Sequence, residues 1–426
     1  MFLKVISPNE LESFSGTCNS LDTATLIGAQ KIIDRVRNGG LAELESCAAE
    51  YDAWDQESLL FRGPEDFSAA LQRISDEHRQ LLERTAARIR FFAEPQLAML
   101  QPVETENCGA RMGQTWEPLG AAGCYVPGGR YPLVSSLLMT AMTARVAGVK
   151  SVWIACPVVS DLMLAAAGIC GVNGFLAAGG AHAIAAMTYG VGPVLAVDVV
   201  VGPGNRWVTA AKQLVSAHVK IDMLAGPSEL VVLADDSADP AIVAADLLAQ
   251  AEHDHDARPI LVTTSPELLA EVEKELAKQL GNLPTADTAR AAMTNGFSIL
   301  VADIQSGIEA CQRIAPEHLE LQIRDAREFA GKISRCGAVF VGTQTGEVFG
   351  DYGAGPNHVL PTGGTARHAS GLSVSTFMRT QTWLELKDDA DSRELIDDAI
   401  QLANLEGLIG HSRSAELRKN KGRGLK

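Results

Sequence analysis

The sequence predicts an α/β protein of two doubly wound, Rossmann-like units, with a helical region before them and a helical tail behind. Three observations carry this. In Asp22–Glu50 and Pro64–Glu94, apolar residues recur at spacings of three and four with charges between them, the period of amphipathic helices. From about Leu119 glycine rises, charge falls, and short apolar runs alternate with glycine turns and helical segments. From Arg393 onward the helical period returns.

Taken in order, residues 1–118 form the helical N-terminal region, whose expected role is packing, part of it on the catalytic unit. Residues 119–227 hold three units of one form. Ala121–Val126 is apolar, Pro127-Gly128-Gly129 turns, and Leu133–Val146 reads as a helix. Gly174–Ala178, Gly179-Gly180 and Ala181–Tyr189 repeat the form, as do Val197–Val201, Gly202-Pro203-Gly204-Asn205 and Trp207–Ala217. Strand, glycine turn and helix in succession is the βαβ pattern of a parallel sheet. Residues 228–375 form a second α/β unit, with strands at Leu230–Ala234, Pro259–Thr263, Ser298–Val301 and Ala338–Val341 and a helix at Pro240–Gln250. After about Thr365 the pattern is irregular, and residues 376–426 make the tail.

Bulk properties narrow the function. The chain has 426 residues, enough for more than one core, and is 46% hydrophobic and 21% charged, as a globular protein should be. Lys and Arg number 36 against 52 Asp and Glu, a net charge of −16 that argues against a nucleic-acid partner. The basic stretch Arg413–Lys426 reads as a solvated terminus. Eight cysteines lie scattered without a C-x-x-C pair, so neither a cysteine zinc site nor a disulfide scaffold is expected. The apolar start Met1–Val5 is too short for a signal peptide, and no run of 18 apolar residues predicts a membrane span. The expected compartment is the cytoplasm.

Glycine turns between strand and helix bring backbone N–H groups to an anion at a helix N-terminus. Three such turns fit the pyrophosphate of a dinucleotide. They fit equally a set of tight βα turns, because the strict G-x-G-x-x-G fingerprint is absent: Gly202-x-Gly204 is followed by Trp207.

A polar constellation occupies the second half. Gln250 and His253 stand three apart at the end of a helix, on one face. Glu317-His318 opens the apolar stretch Leu319–Leu321, Asp351 lies in a Gly-Asp-Tyr-Gly loop, Asn357-His358 follows Gly355-Pro356, and Glu406 and His411 lie near the end. Imidazole, carboxylate and amide groups together make a possible N/O metal site. The adjacent Glu317-His318 pair offers two proton-transfer groups of different pKa, with the carboxylate expected to be ionised at neutral pH. Taken singly, each histidine fits a structural role and Asp351 a turn.

The runs Tyr125-Val126-Pro127-Gly128-Gly129, Val201–Asn205, Ile221–Glu229, Asp246–His253, Pro316–Leu319, Gly350–Tyr352, Asn357–Thr362 and Glu406–Leu408 with His411 resemble the histidinol dehydrogenase family along nearly the whole chain. The resemblance implies zinc ligands at Gln250, His253, Asp351 and His411, a zinc that also holds the substrate's imidazole and amine, and NAD as hydride acceptor. It implies His318 as the base for the alcohol proton and Glu317 as the group that activates water. Ser228, His358 and Glu406 match substrate-contacting positions, which also include Gln250, His253, Glu317, His318, Asp351 and His411. Tyr125, His182 and Asn205 match positions on the NAD side. It further implies a homodimer in which each tail completes its partner's site.

Two positions depart from the family pattern. His182 stands where the family has glutamine, and Arg130-Tyr131-Pro132 replaces smaller residues, a pattern similar to relatives that oxidise a sulfonated propanediol. The expected reaction is oxidation of L-histidinol to L-histidine with two NAD. The alternatives are the same chemistry on another alcohol and a non-catalytic nucleotide-binding module.

Overall fold

The computed structural model describes residues 2–7, 10–12, 21–52, 54, 60–128, 133–387 and 391–421. Gly129 and Arg130-Tyr131-Pro132 lie outside these, as does the end of the basic tail. The chain divides into two compact units, one of residues 1–96 with 119–377, the other of 97–118 with 378–426.

The larger unit holds two six-stranded sheets. In the first, the strands run in the order Phe61–Arg62, Gly174–Leu176, Ser151–Ala155, Ala121–Tyr125, Val199–Val201, Lys220–Ile221, parallel except for the Phe61–Arg62 edge. Ala121–Tyr125 is buried at every residue, which explains an unbroken apolar run in place of alternation. The helix Thr23–Tyr51 packs on Gly180–Tyr189 and Arg206–Val215. It breaks at Gly40, whose φ is 61° and ψ −137°. The predicted segment Pro64–Glu94 is two helices, Pro64–Arg73 and Asp76–Ala98, because Ile74 takes an extended conformation between them.

The second sheet is parallel throughout, in the order Lys4–Ile6, Phe297–Leu300, Arg258–Thr263, Glu229–Ala234, His318–Gln322, Ala338–Val341. Its central strand is wholly buried. The N-terminal segment is therefore not all helical: Lys4–Ile6 supplies an edge strand to a sheet whose other members lie more than 200 residues on.

The smaller unit is grouped differently from the sequence expectation. Residues 97–118 group with the tail, not with the N-terminal helices. The reason is an antiparallel sheet of Val103–Asn107, Ala110–Pro118 and Met378–Leu386, followed by the helices Ser392–Leu405 and Ile409–Lys421. The hairpin turns on Cys108-Gly109, with φ of 48° and 70°, the positive pair that a two-residue type I′ loop demands.

Within the first sheet one buried ion pair fixes the loop after Val199–Val201. Lys212 and Asp222 have 2% and 1% exposure, and Lys212 Nζ donates both to Asp222 and to the Gly202 carbonyl at 2.9 Å. The other Asp222 oxygen accepts from Gly202 N–H at 2.7 Å. Gly202 has a φ of 113°, and a Cβ there would strike the Tyr125 carbonyl oxygen. Removing one partner of such a pair strands the other charge in the interior. Lys212→Met should therefore destabilise the protein by about 3–5 kcal/mol, read from the shift in denaturant midpoint. A loss below about 1 kcal/mol would show that the pair is not what holds the turn.

Candidate active site

The polar constellation converges at the amino edge of the second sheet. Glu229–Ala234 and His318–Gln322 are parallel neighbours, with Leu230 opposite His318. Ser228-Glu229 and Glu317-His318 therefore start adjacent strands at the same edge. The helix Pro240–Ala251 returns from the far edge and ends there with Gln250, which is fully buried, followed by His253. The short helix Glu347–Asp351 is held against the same region because Glu347 N–H donates to Glu320 Oε1 at 2.7 Å.

His318 is the centre. Its Nδ1 lies 3.3 Å from the Glu229 carbonyl oxygen, 3.5 Å from Glu347 Oε1 and 3.7 Å from Glu317 Oε2. Its Nε2 lies 3.8 Å from Asp351 Oδ1 and is buried without a hydrogen-bond partner. Asp351 Oδ2 is 3.4 Å from His253 Nε2. Glu317 Oε2 accepts from Glu229 N–H at 3.0 Å, and Ser228 donates to the same carboxyl group. His358 joins through its ring: Nδ1 lies 2.9 Å from the Asp351 carbonyl oxygen and Nε2 3.1 Å from Ser136 Oγ. One end of the Gln250 amide lies 3.1 and 3.3 Å from the two Glu347 carboxyl oxygens, and against an ionised Glu347 that end is the nitrogen.

Burial dominates the electrostatics. It lowers the His318 pKa to about 4, so the imidazole is neutral near pH 7 and can accept a proton. It raises Glu317 well above the ordinary carboxylate range, and the charges of Glu229 and Asp351 add to the rise. Burial therefore works against the expected ionised Glu317 as long as no cation is bound. Glu347 is raised likewise by burial, then by Asp351, Glu317, Glu320 and Asp246.

A site so rich in acids with so few cations fits a metal. Its donors are nitrogen and oxygen, and ligand atoms of His253, Glu347 and Asp351 all lie within 4.8 Å of one another. With the unpartnered Nε2 of His318 beside them, the residues present suit a divalent cation such as zinc. Glu347 is the member that sequence reasoning missed. It lies in a short segment without periodicity, and only the fold brings it to Gln250.

The glycine turns lie at the carboxyl edge of the first sheet, where α/β proteins bind nucleotides. Tyr125 is buried beneath them, and its hydroxyl accepts from Gly180 N–H at 3.1 Å. Asn205 caps the helix Arg206–Val215, its Oδ1 accepting from Trp207 and Val208 N–H. His182 is 1% exposed, and its Nε2 lies 2.7 Å from Asp52 Oδ2, which also accepts from Gly179 N–H at 2.8 Å. The chain's own oxygens thus occupy the start of the helix Gly180–Tyr189, and His182 faces Asp52. In the smaller unit, Glu406 and His411 line one cavity of about 340 Å³ with Leu408, Ser414 and Arg418.

Fold and site together define an α/β enzyme with a buried imidazole–carboxylate pair beside an N/O metal site. The family profile described as histidinol dehydrogenase matches residues 20–419. The chain is 42% identical over 389 residues to a histidinol dehydrogenase of Thermus thermophilus, covering 91% of this chain and 93% of that one. It is 43% identical over 394 residues to one of Pseudomonas fluorescens, covering 91% and 89%. The crystal structure of histidinol dehydrogenase from Elizabethkingia anophelis superposes with a TM-score of 0.92 at 30% identity, over 99% of this chain and 98% of that one. The chain belongs to the histidinol dehydrogenase family, whose members are NAD-dependent and bind zinc.

Behind the site, Glu320 and Asp246 share the Gln322 amide nitrogen at 2.8 and 2.7 Å. Burial, then the charge of Asp246, raises Glu320 to about 8. A carboxyl group with a raised folded-state pKa binds its proton more tightly folded than unfolded, so its contribution is full at low pH and is lost as pH rises. For Glu320 the window runs from the ordinary 4.5 to about 8. In the metal-stripped protein, Glu320→Gln should flatten the fall in stability across that window, measured by guanidinium midpoints. A wild-type slope in the variant would contradict the assignment.

Proposed function

We infer that this chain catalyses the four-electron oxidation of L-histidinol to L-histidine with two NAD, through an aldehyde-level intermediate. The observation that carries the reading is the neutral, buried His318, next to Glu317 and with its free Nε2 towards Asp351, within a site already rich in metal donors. Membership of the family supplies the substrate class. The sulfonated-diol alternative rests on Arg130-Tyr131-Pro132, and the intact Glu317-His318 pair speaks against a non-catalytic module.

Gln250, His253 and Asp351, with His411, are the proposed zinc ligands, and Ser228, His358 and Glu406 contact the substrate. When bound, zinc supplies a Lewis-acidic anchor for the substrate's imidazole and amine. Tyr125, Asn205 and His182 would hold NAD, which would supply the hydride acceptor. His182 acts there through Asp52 and the turn it holds. In the first step His318 Nε2 takes the hydroxyl proton as hydride leaves the carbinol carbon. In the second, Glu317 takes a proton from the water that adds to the aldehyde, and a second hydride leaves the hydrate to give the carboxylate. For this, Glu317 must ionise in the loaded site, where a cation offsets the neighbouring carboxylates. The enclosed site retains the aldehyde between the two oxidations.

The assembly we propose is a homodimer with shared sites. Leu402, Leu405, Ile409 and Leu417 on the tail helices are 57–84% exposed, an apolar surface that a short helical pair cannot bury alone. A second copy would cover it and receive His411 and Glu406 in its own site. No helix of the described residues is long and apolar enough to cross a membrane, and the seven described cysteines are free thiols, which fits a reducing cytoplasm.

Each half-reaction can be followed alone. Glu317→Gln should slow aldehyde oxidation by about 10²–10⁴ while sparing the alcohol step, and His318→Ala should slow the alcohol step by a similar factor. Equal and minor effects of both changes on both steps would refute the roles. For the dimer, Glu317→Ala and His411→Ala chains should each be inactive. Co-expression should restore about a quarter of wild-type activity, because half of randomly paired dimers are mixed and each holds one intact site of two. Mixed dimers that form and stay inactive would return the tail to its own chain.

A further inference from the structure

We propose that Glu347 is the positioning residue that turns Gln250 and His318 into a metal ligand and a base. The proposal rests on the zinc and proton-transfer roles given above.

Gln250 is fully buried, so its amide has no water to satisfy it. A carboxamide offers a cation its oxygen, since the nitrogen has no free electron pair. Which end faces the cation therefore decides whether Gln250 is a ligand at all. With Glu347 ionised, as a cation beside it favours, its carboxylate accepts from the amide nitrogen through both oxygens, at 3.1 and 3.3 Å, and so leaves the carbonyl oxygen as the donor end.

The same carboxylate acts on His318. Its Oε1 is 3.5 Å from Nδ1, and the Glu229 carbonyl oxygen is 3.3 Å from that atom. With Glu347 ionised, Nδ1 faces the acceptors of Glu347 and of the Glu229 carbonyl, so the ring's proton belongs there. The lone pair is left on Nε2, the atom without a partner. Reversing the tautomer would put a proton where the base must receive one.

Glu347 can impose both choices because it is itself fixed. It is 4% exposed, starts the helix that carries Asp351, and its N–H is tied to Glu320 Oε1 at 2.7 Å. A carboxylate that orients a ligand and a base at once behaves as the outer partners of metal sites do. Glu347 could instead be a direct ligand, since its oxygen falls within the same 4.8 Å group as His253 and Asp351. The two roles differ in what the metal sees.

The test uses full-length enzyme loaded with zinc, and with cobalt in its place. Three readouts are taken on wild type, Glu347→Gln and Glu347→Ala: zinc affinity by chelator competition, the cobalt visible spectrum, and the ¹⁵N shifts of His318. For Glu347→Gln we expect one metal per chain, bound 10–100-fold more weakly, with an unchanged cobalt coordination number. Its amide oxygen still accepts from Gln250, so it should retain more affinity than Glu347→Ala. The Nδ1–H tautomer of His318 should lose population in the alanine variant. Wild-type affinity and tautomer in both variants would overturn the proposal, and so would a cobalt spectrum in Glu347→Gln showing one ligand fewer. If the alanine variant does not fold, the isosteric glutamine decides. A wild-type protein that takes up no metal would instead overturn the zinc reading itself.

Discussion

The structure turns on the burial of carboxyl groups. Glu229, Asp246, Glu317, Glu320 and Glu347 are crowded with Asp351 around the amino edge of one parallel sheet, and Arg258 is the cation that pairs with Glu229. Ionised acids cannot sit so close in a low-dielectric interior without compensation. The chain compensates in three ways. Backbone N–H groups of Glu229, Glu347 and Gly363 point at Glu317, Glu320 and Glu229. Burial raises the pKa of Glu317, Glu320 and Glu347, which favours their neutral forms as long as no cation is bound. A divalent cation at His253 and Asp351 would supply the third. The environment that disfavours charge also keeps His318 neutral, with a ring lone pair free to take a proton.

The division of labour between the two sheets follows. Open α/β sheets bind ligands beyond the carboxyl ends of their strands. The first sheet carries the turns at Gly128, Gly179 and Gly202 at that edge. The second sheet uses its amino edge, where Ser228-Glu229 and Glu317-His318 begin neighbouring strands. The Asn357–Thr362 segment ties the larger unit together: Asn357 Nδ2 donates to the Met139 carbonyl at 2.9 Å, and Thr362 Oγ1 accepts from Gly226 N–H. A site for hydride transfer needs a cofactor edge and a substrate edge held rigidly, and one compact unit contains both.

Much of this was legible in the sequence because burial writes itself as apolar runs. Glu229–Ala234 and Arg258–Thr263 were predicted to within one residue, and the glycine turns marked their strands. Glu317-His318 was visible as an adjacent acid–base pair. The rest depended on tertiary placement. Val103–Asn107 is exposed at every residue, so no hydrophobic pattern marks it as a strand, although the Cys108-Gly109 turn is a local sign. Lys4–Ile6 is too short to declare its partner. His182 reads as a cofactor-side position, but its partner Asp52, 130 residues earlier, could not be read from spacing. The upward shift of Glu317 was not legible, because pKa follows burial, which spacing does not reveal.

The central claim is that one enclosed site carries an alcohol through two oxidations without releasing the aldehyde. The most direct measurement is the stoichiometry of the purified, zinc-loaded enzyme: NADH formed per L-histidinol consumed, with an aldehyde trap in the solution. The account predicts two NADH per histidinol, one histidine formed, and no trapped aldehyde. One NADH per histidinol with the aldehyde recovered in the trap would contradict it, as would turnover of a sulfonated diol in the absence of any with histidinol.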